Sequence, residues 1–118
     1  MTYVTNANML DMMTTAIEGG SAFWMNDDDI LDVSVVRDAN KNVTAISFRT
    51  DVCGDMQSYA IDAVSMRKAL KLMKMDAKMP EHLQKLAHKM LTDPHYDYDA
   101  GDADTIVQYT AFHEVVFG

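Results

Sequence analysis

Cysteine is all but missing from this chain, which holds one thiol, Cys53, among its 118 residues. A single thiol excludes an intramolecular disulfide and Cys-x-x-Cys chemistry, and it fits a reducing compartment. Proline occurs twice, at Pro80 and Pro94, and glycine five times, too few for a flexible linker or a low-complexity segment. No apolar run approaches the roughly 18 residues that cross a bilayer, which argues against a membrane partner. Met1 to Asn6 carry neither a basic nor a long apolar stretch. No secretion signal is therefore expected, and the cytoplasm is the expected location. At this length one domain, residues 1–118, is expected to bury a modest core.

Catalytic constellations are also missing from the sequence. No His-Glu-x-x-His, Walker or Gly-x-Ser-x-Gly pattern occurs. His82, His88, His95 and His113 include no i, i+4 pair that would set two imidazoles together on a helix. Counted as a calcium loop from Asp97, the positions needing an oxygen ligand, a glycine and a bidentate glutamate hold Gly101, Asp102 and Gln108. Cys53 has no histidine within 25 residues, so an inert, packed thiol is expected. Gly19, Gly20 and Ser21 follow a helix, whereas phosphate-cradling glycines follow a strand. No catalytic residue, metal ligand or cofactor is expected, and the chain reads as a non-enzyme.

Methionine and uneven charge are what the sequence has in excess. Most of the 11 methionines fall at helical core spacing, with Met25, Met56 and Met79 as candidates for an exposed, adaptable subset. The net charge of −8 argues against direct nucleic-acid binding, which needs a positive surface. Yet residues 63–90 hold seven basic and two acidic side chains, net +5, against −13 for the remainder. The basic face Arg67, Lys71, Lys74 and Lys78 has three readings: a solvated surface, a salt-bridged partner of the chain's own aspartates, or a docking surface for an acidic or phosphate-bearing partner. The aspartate-rich loop, with Asp97, Asp99 and Asp102, is the second candidate for partner contact. A charge split of this kind favours action through the surface.

Periodicity sets the expected fold. Met9, Leu10, Met13, Ala16 and Ile17 make one face of a helix over residues 7–18, capped by Asn6 or Asn8 and stopped by Gly19 and Gly20 in a left-handed turn. Residues 30–37 and 43–50 read as a β-hairpin, with Leu31, Val33 and Val35 inward on the first strand and an asparagine of the turn taking positive φ. A third strand spans Gln57–Asp62. From Ala63 the pattern turns helical, with Met66, Ala69, Leu70 and Met73 inward; Pro80 opens a second helix to about Leu91. Thr105 and Gln108 have the form of a capping box for a last helix that is apolar almost all round. The expectation is an α+β fold: an N-terminal helix, a three-stranded antiparallel sheet, and three C-terminal helices with the last buried against the sheet.

Three segments resemble a set of small uncharacterised bacteriophage and prophage proteins: Thr15 to Trp24, with Glu18-Gly19-Gly20 before an aromatic pair; Ile61 to Val64; and Ala103 to Gln108, closing on Phe112 to Gly118. The chain departs from that set at His113, where glycine is expected. The resemblance implies a phage gene acting in the host bacterial cytoplasm. It further implies a non-catalytic accessory protein that binds and inhibits a host protein or protein–nucleic-acid complex, such as a CRISPR defence effector. The alternative is a small-ligand binder that sequesters a signalling nucleotide, with lysines and Trp24 supplying the contacts. Homo-oligomerisation stays open.

Overall fold

The computed structural model describes residues 4–51 and 54–117; Cys53 lies outside them. The elements run α1 (Asn6–Glu18), α2 (Ala22–Met25), β1 (Leu31–Arg37), β2 (Val43–Asp51), β3 (Met56–Asp62), α3 (Ala63–Met73), α4 (Glu81–Thr92) and α5 (Ala100–Phe112). The strands form an antiparallel sheet in the order β1-β2-β3. This is the expected α+β architecture, with the short α2 added. The molecule measures 41 × 38 × 20 Å, the thickness of one sheet layer under one helix layer.

Pairing decides which strand residues face the helices. Ile46 stands between Val35 and Ile61, and Phe48 opposite Tyr59; Ile46, Phe48 and Ile61 are fully buried. β1 departs from its expected alternation. The register shifts between Leu31 and Ser34, and Asp32 takes φ 54. This bulge leaves Leu31 and Val33 exposed, so only Val35 of the three packs inward. In the following turn Lys41, and neither asparagine, takes positive φ (66). Asp38 templates that turn by accepting from the amides of Asn40 and Asn42.

The helix layer is built on α5, which packs against α1, α3 and β3. Its Ala103, Ile106, Val107 and Tyr109 meet a methionine-rich core of Met9, Met12, Met13, Met66, Met73 and Met90. Aromatic packing ties this layer to the sheet: Trp24 lies edge-on to Phe48 at 5.4 Å, and Phe112 contacts both Phe48 and Tyr59.

Helix ends differ from expectation in instructive ways. Thr5, with Asn8 reciprocating, caps α1 in place of Asn6 or Asn8 as the cap residue. Gly19 ends α1 at φ −131, outside the left-handed region. Pro80 precedes α4 as its cap residue, φ −56 and ψ 149, and lies outside the first turn. α5 starts at Ala100, with Asp99 and Asp102 forming the capping box. Thr105 therefore lies inside the helix, its hydroxyl donating to the Gly101 carbonyl at 2.9 Å. Two carboxylates near the positive end of the helix outcompete a neutral threonine for the cap. Asp99→Ala should accordingly cost about 1 kcal/mol in urea unfolding, and Thr105→Ala less than about 0.5 kcal/mol.

His113 closes α5 in the left-handed conformation, φ 58 and ψ 23. This is the position at which glycine is expected, the residue that adopts that conformation without a Cβ penalty. His113→Gly should raise stability by up to about 1 kcal/mol in the same assay, offset in part by the lost stacking on Tyr109.

Candidate interaction surface

α3 carries two apolar faces, and only one is used inside. Asp62 caps it by accepting from the Ser65 amide at 2.8 Å, and Met66, Ala69, Leu70 and Met73 enter the core. The opposite stripe runs Val64, Lys68, Lys71 and Leu72 at helical spacing and continues to Met75 just beyond the helix. Leu72 is 55% exposed and Met75 79%, the latter among the most exposed large apolar side chains of the described residues. Of the methionines expected at the surface, Met56 is exposed, Met79 half-buried and Met25 buried. Met75 was not foreseen.

In the segment between α3 and α4, next to the outward Met75, Asp76 is anchored on three sides. Tyr109 of α5 donates its hydroxyl to the Asp76 carboxylate at 2.7 Å, and the Lys78 amide donates at 2.9 Å. Gln84 of α4 donates to the Asp76 carbonyl at 2.7 Å. The hydrogen bond from Tyr109 is the main reason that the Asp76 carboxyl ionises below its ordinary range, with the Lys78 amide second. Tyr109 is pushed up to about 12, first by burial and then by the Asp76 hydrogen bond and charge.

The stability signs follow from those directions. The Tyr109 contribution is complete below about pH 10 and fades as pH rises toward about 12. The Asp76 contribution is complete above the ordinary carboxylate range and fades as pH falls through its lowered value. Tyr109→Phe should therefore flatten the pH dependence of the urea midpoint on both the acid and the alkaline limb.

Met75 stands as a ridge between two hollows. One, of about 450 Å³, is lined by Lys71, Leu72, Met75, Asp76, Lys78, Tyr109 and His113. The other, of about 530 Å³, is lined by Lys74, Met75, Glu81, Gln84, Lys85, His88 and Lys89. Ion pairs among the described residues join Arg37 to Glu18, Arg49 to Asp32 and Lys85 to Glu81. Lys68, Lys71, Lys74, Lys78 and Lys89 form none of them. Salt-bridging of the basic stripe to the chain's own aspartates, one of the three readings above, is therefore not seen at these lysines among the described residues, and the Lys78 charge acts on Asp76 only as a minor cause of its lowered ionisation.

Arg67 does not belong to this surface. Its guanidinium is half-buried and donates to the Val4 carbonyl at 2.7 Å, fastening the N-terminal segment to α3. The acidic loop is also divided. Asp99 and Asp102 are engaged in the α5 cap and line a hollow with His82, Lys85 and Lys89, whereas Asp97 faces another with Asp11, His95 and Tyr98. Tyr98 donates to Asp11 there, and its hydroxyl ionises at much higher pH than usual, chiefly through burial. The described residues hold no group of three or more potential metal-ligating side chains. Trp24, offered above as a nucleotide contact, is buried, with its indole N–H donating to Asp104 at 2.7 Å.

Two polar clusters escaped the sequence reading: Asp76 with Tyr109, and Asp104 with Ser21, Trp24 and Gln108. The signal for the second was available in the i, i+4 placement of Asp104 and Gln108 on an otherwise apolar helix. No described helix is long and apolar enough to cross a membrane. No protein-family profile, curated protein or solved structure matches this chain.

Proposed function

We propose that this is a non-catalytic binding protein that docks on a macromolecular partner through the α3–α4 face. In the setting implied by the phage resemblance, the partner is a host protein or protein–nucleic-acid complex, such as a defence effector, and docking blocks its action. The supporting observation is the apolar ridge of Leu72 and Met75, exposed and flanked by Lys71, Lys74 and Lys78, which form no ion pair among the described residues. Exposed apolar surface rimmed by charge is the anatomy of a protein contact. The acidic loop is the weaker candidate, since two of its three aspartates are committed to capping α5.

Capture from bacterial lysate with the wild-type chain and with a Lys71→Glu/Lys74→Glu/Lys78→Glu variant tests this. A partner retained by the wild type and reduced at least about tenfold on the variant is the expected result. Equal recovery on both, or no specific partner, overturns it. Circular dichroism of the variant should match the wild type, because none of the three lysines makes an ion pair within the described chain.

A further inference from the structure

Resting on that docking role, we infer that the matching part of the partner is an acidic protein segment with apolar anchor residues, and not a nucleic acid or a lipid surface. The two hollows beside Met75 each offer one apolar wall and lysine ammonium groups outside the ion pairs of the described residues, with Lys89 also lying over the Tyr96 ring at 5.6 Å, so the ligand must bring both kinds of contact. Lys71 and Lys78 serve one hollow, and Lys74 and Lys89 the other. The carboxylates inside the patch are already engaged, Asp76 by Tyr109 and Glu81 by Lys85. The patch therefore presents net positive charge around apolar side chains.

A phosphate backbone would satisfy the lysines and leave Leu72 and Met75 facing a polyanion. No Phe, Tyr or Trp ring stands exposed in the patch to stack a base: Tyr109 is 3% exposed, and the imidazole of His113 is stacked on it. Long polyanions also meet the rest of the molecule. Outside residues 63–90 the chain carries −13, and Asp99 and Asp102 line a hollow with Lys85 and Lys89 at the edge of the patch, where salt screens a passing polyanion least. A duplex or an anionic bilayer feels that repulsion along its whole length. A short acidic segment fits inside the basic patch and escapes most of it. Its carboxylates would meet the lysine ammonium groups, and its apolar side chains would fill the hollows against Leu72 and Met75.

The test uses the full chain labelled with nitrogen-15 and four probes. These are an amphipathic peptide of about 20 residues with Glu and Leu at helical spacing, its Glu→Gln counterpart, a DNA duplex of about 20 base pairs, and vesicles containing phosphatidylserine. The acidic peptide is expected to shift the amides of Lys71, Leu72, Met75 and Lys78. Its binding should weaken about tenfold or more with Lys71→Glu/Lys78→Glu, and similarly with the Gln peptide. Failure of the acidic peptide to shift these amides overturns the partner class, as does a stronger response to duplex or vesicles. The docking role is judged separately by the lysate capture, which stands or falls whatever the peptide does.

Discussion

Asp104→Ala is expected to destabilise the fold by about 3 kcal/mol or more, lowering Tm by about 10–15 °C. The Asp104 carboxylate accepts from the Ser21 hydroxyl at 2.7 Å, the Trp24 indole N–H at 2.7 Å and the Gln108 amide at 2.8 Å. Ser21, Trp24 and Gln108 are all at most 3% exposed, so removing the acceptor strands donors where water has little access. Each orphaned donor costs about 1–3 kcal/mol, and the bonds lost are to a charged acceptor. Gln108 also holds the end of the chain, accepting from the Val116 and Phe117 amides and donating to the Phe117 carbonyl. Phe117 in turn stacks on Trp24, centroids 4.7 Å apart and planes within 3°. Tryptophan fluorescence and the indole N–H resonance should therefore report the same loss as urea unfolding. Asp104→Asn separates shape from charge: it keeps one acceptor oxygen but turns an amide toward Gln108. An intermediate loss is expected. A variant within about 0.5 kcal/mol of wild type for Asp104→Ala would mean the carboxylate is not the hub described.

Much of the architecture was legible because it rests on periodicity. Met66, Ala69, Leu70 and Met73 are inward as their spacing requires, and the helix-facing strand residues Val43, Ile46 and Phe48 are buried. What could not be read depends on contacts between distant segments. Ser21 and Asp104 are 83 positions apart, and Asp76 and Tyr109 are 33 apart; the spacing of Asp104 and Gln108 marks a polar spot on α5, but no local pattern names the distant partner of either carboxylate. The β1 error has a local cause, since a bulge inverts an alternation that the residue types alone still display. At the candidate site the lysines were visible as a charge cluster. The fastening role of Arg67 was not, because its acceptor is a backbone carbonyl with no side-chain signature. Met75 was overlooked although its register marks it: two positions beyond the inward Met73, it continues the outward stripe of Lys68, Lys71 and Leu72.

Both polar clusters act through α5, on its two sides. Asp104 and Gln108 join it to α2 and the C-terminal tail, while Tyr109 reaches the α3–α4 segment through Asp76. The buried helix therefore orders the proposed docking face without contributing an exposed contact of its own. Weakening Asp76 to Tyr109 should loosen the ridge, whereas weakening the Asp104 hub should destabilise the whole fold.

Gly20→Ala should be the most damaging single methyl addition among the glycines of the described residues, costing about 2–3 kcal/mol. A Cβ at Gly20 would lie 2.5 Å from the Ala100 carbonyl oxygen and 2.8 Å from the Asp104 Cβ. Neither atom is the free end of a flexible side chain. One belongs to the first turn of α5 and the other to the root of the carboxylate hub, so the C-terminal end of α1 would have to move away from α5. Gly19 is nearly as tight, with the Ala100 Cβ at 2.6 Å. Close approach explains this glycine pair, since Gly19 does not use the left-handed conformation that ends many helices. Displacing α1 from α5 also pulls Ser21 from Asp104, so the steric cost and the hydrogen-bond loss should couple. In a double-mutant cycle, Gly20→Ala with Asp104→Ala should lose less than the sum of the two single changes by about 1 kcal/mol. Gly101→Ala is the control, because its added Cβ meets only the Asp99 Oδ1 at 3.3 Å, and it should remain within about 1 kcal/mol of wild type. Equal losses for Gly20→Ala and Gly101→Ala would show that helix propensity, and not contact between α1 and α5, dictates these positions.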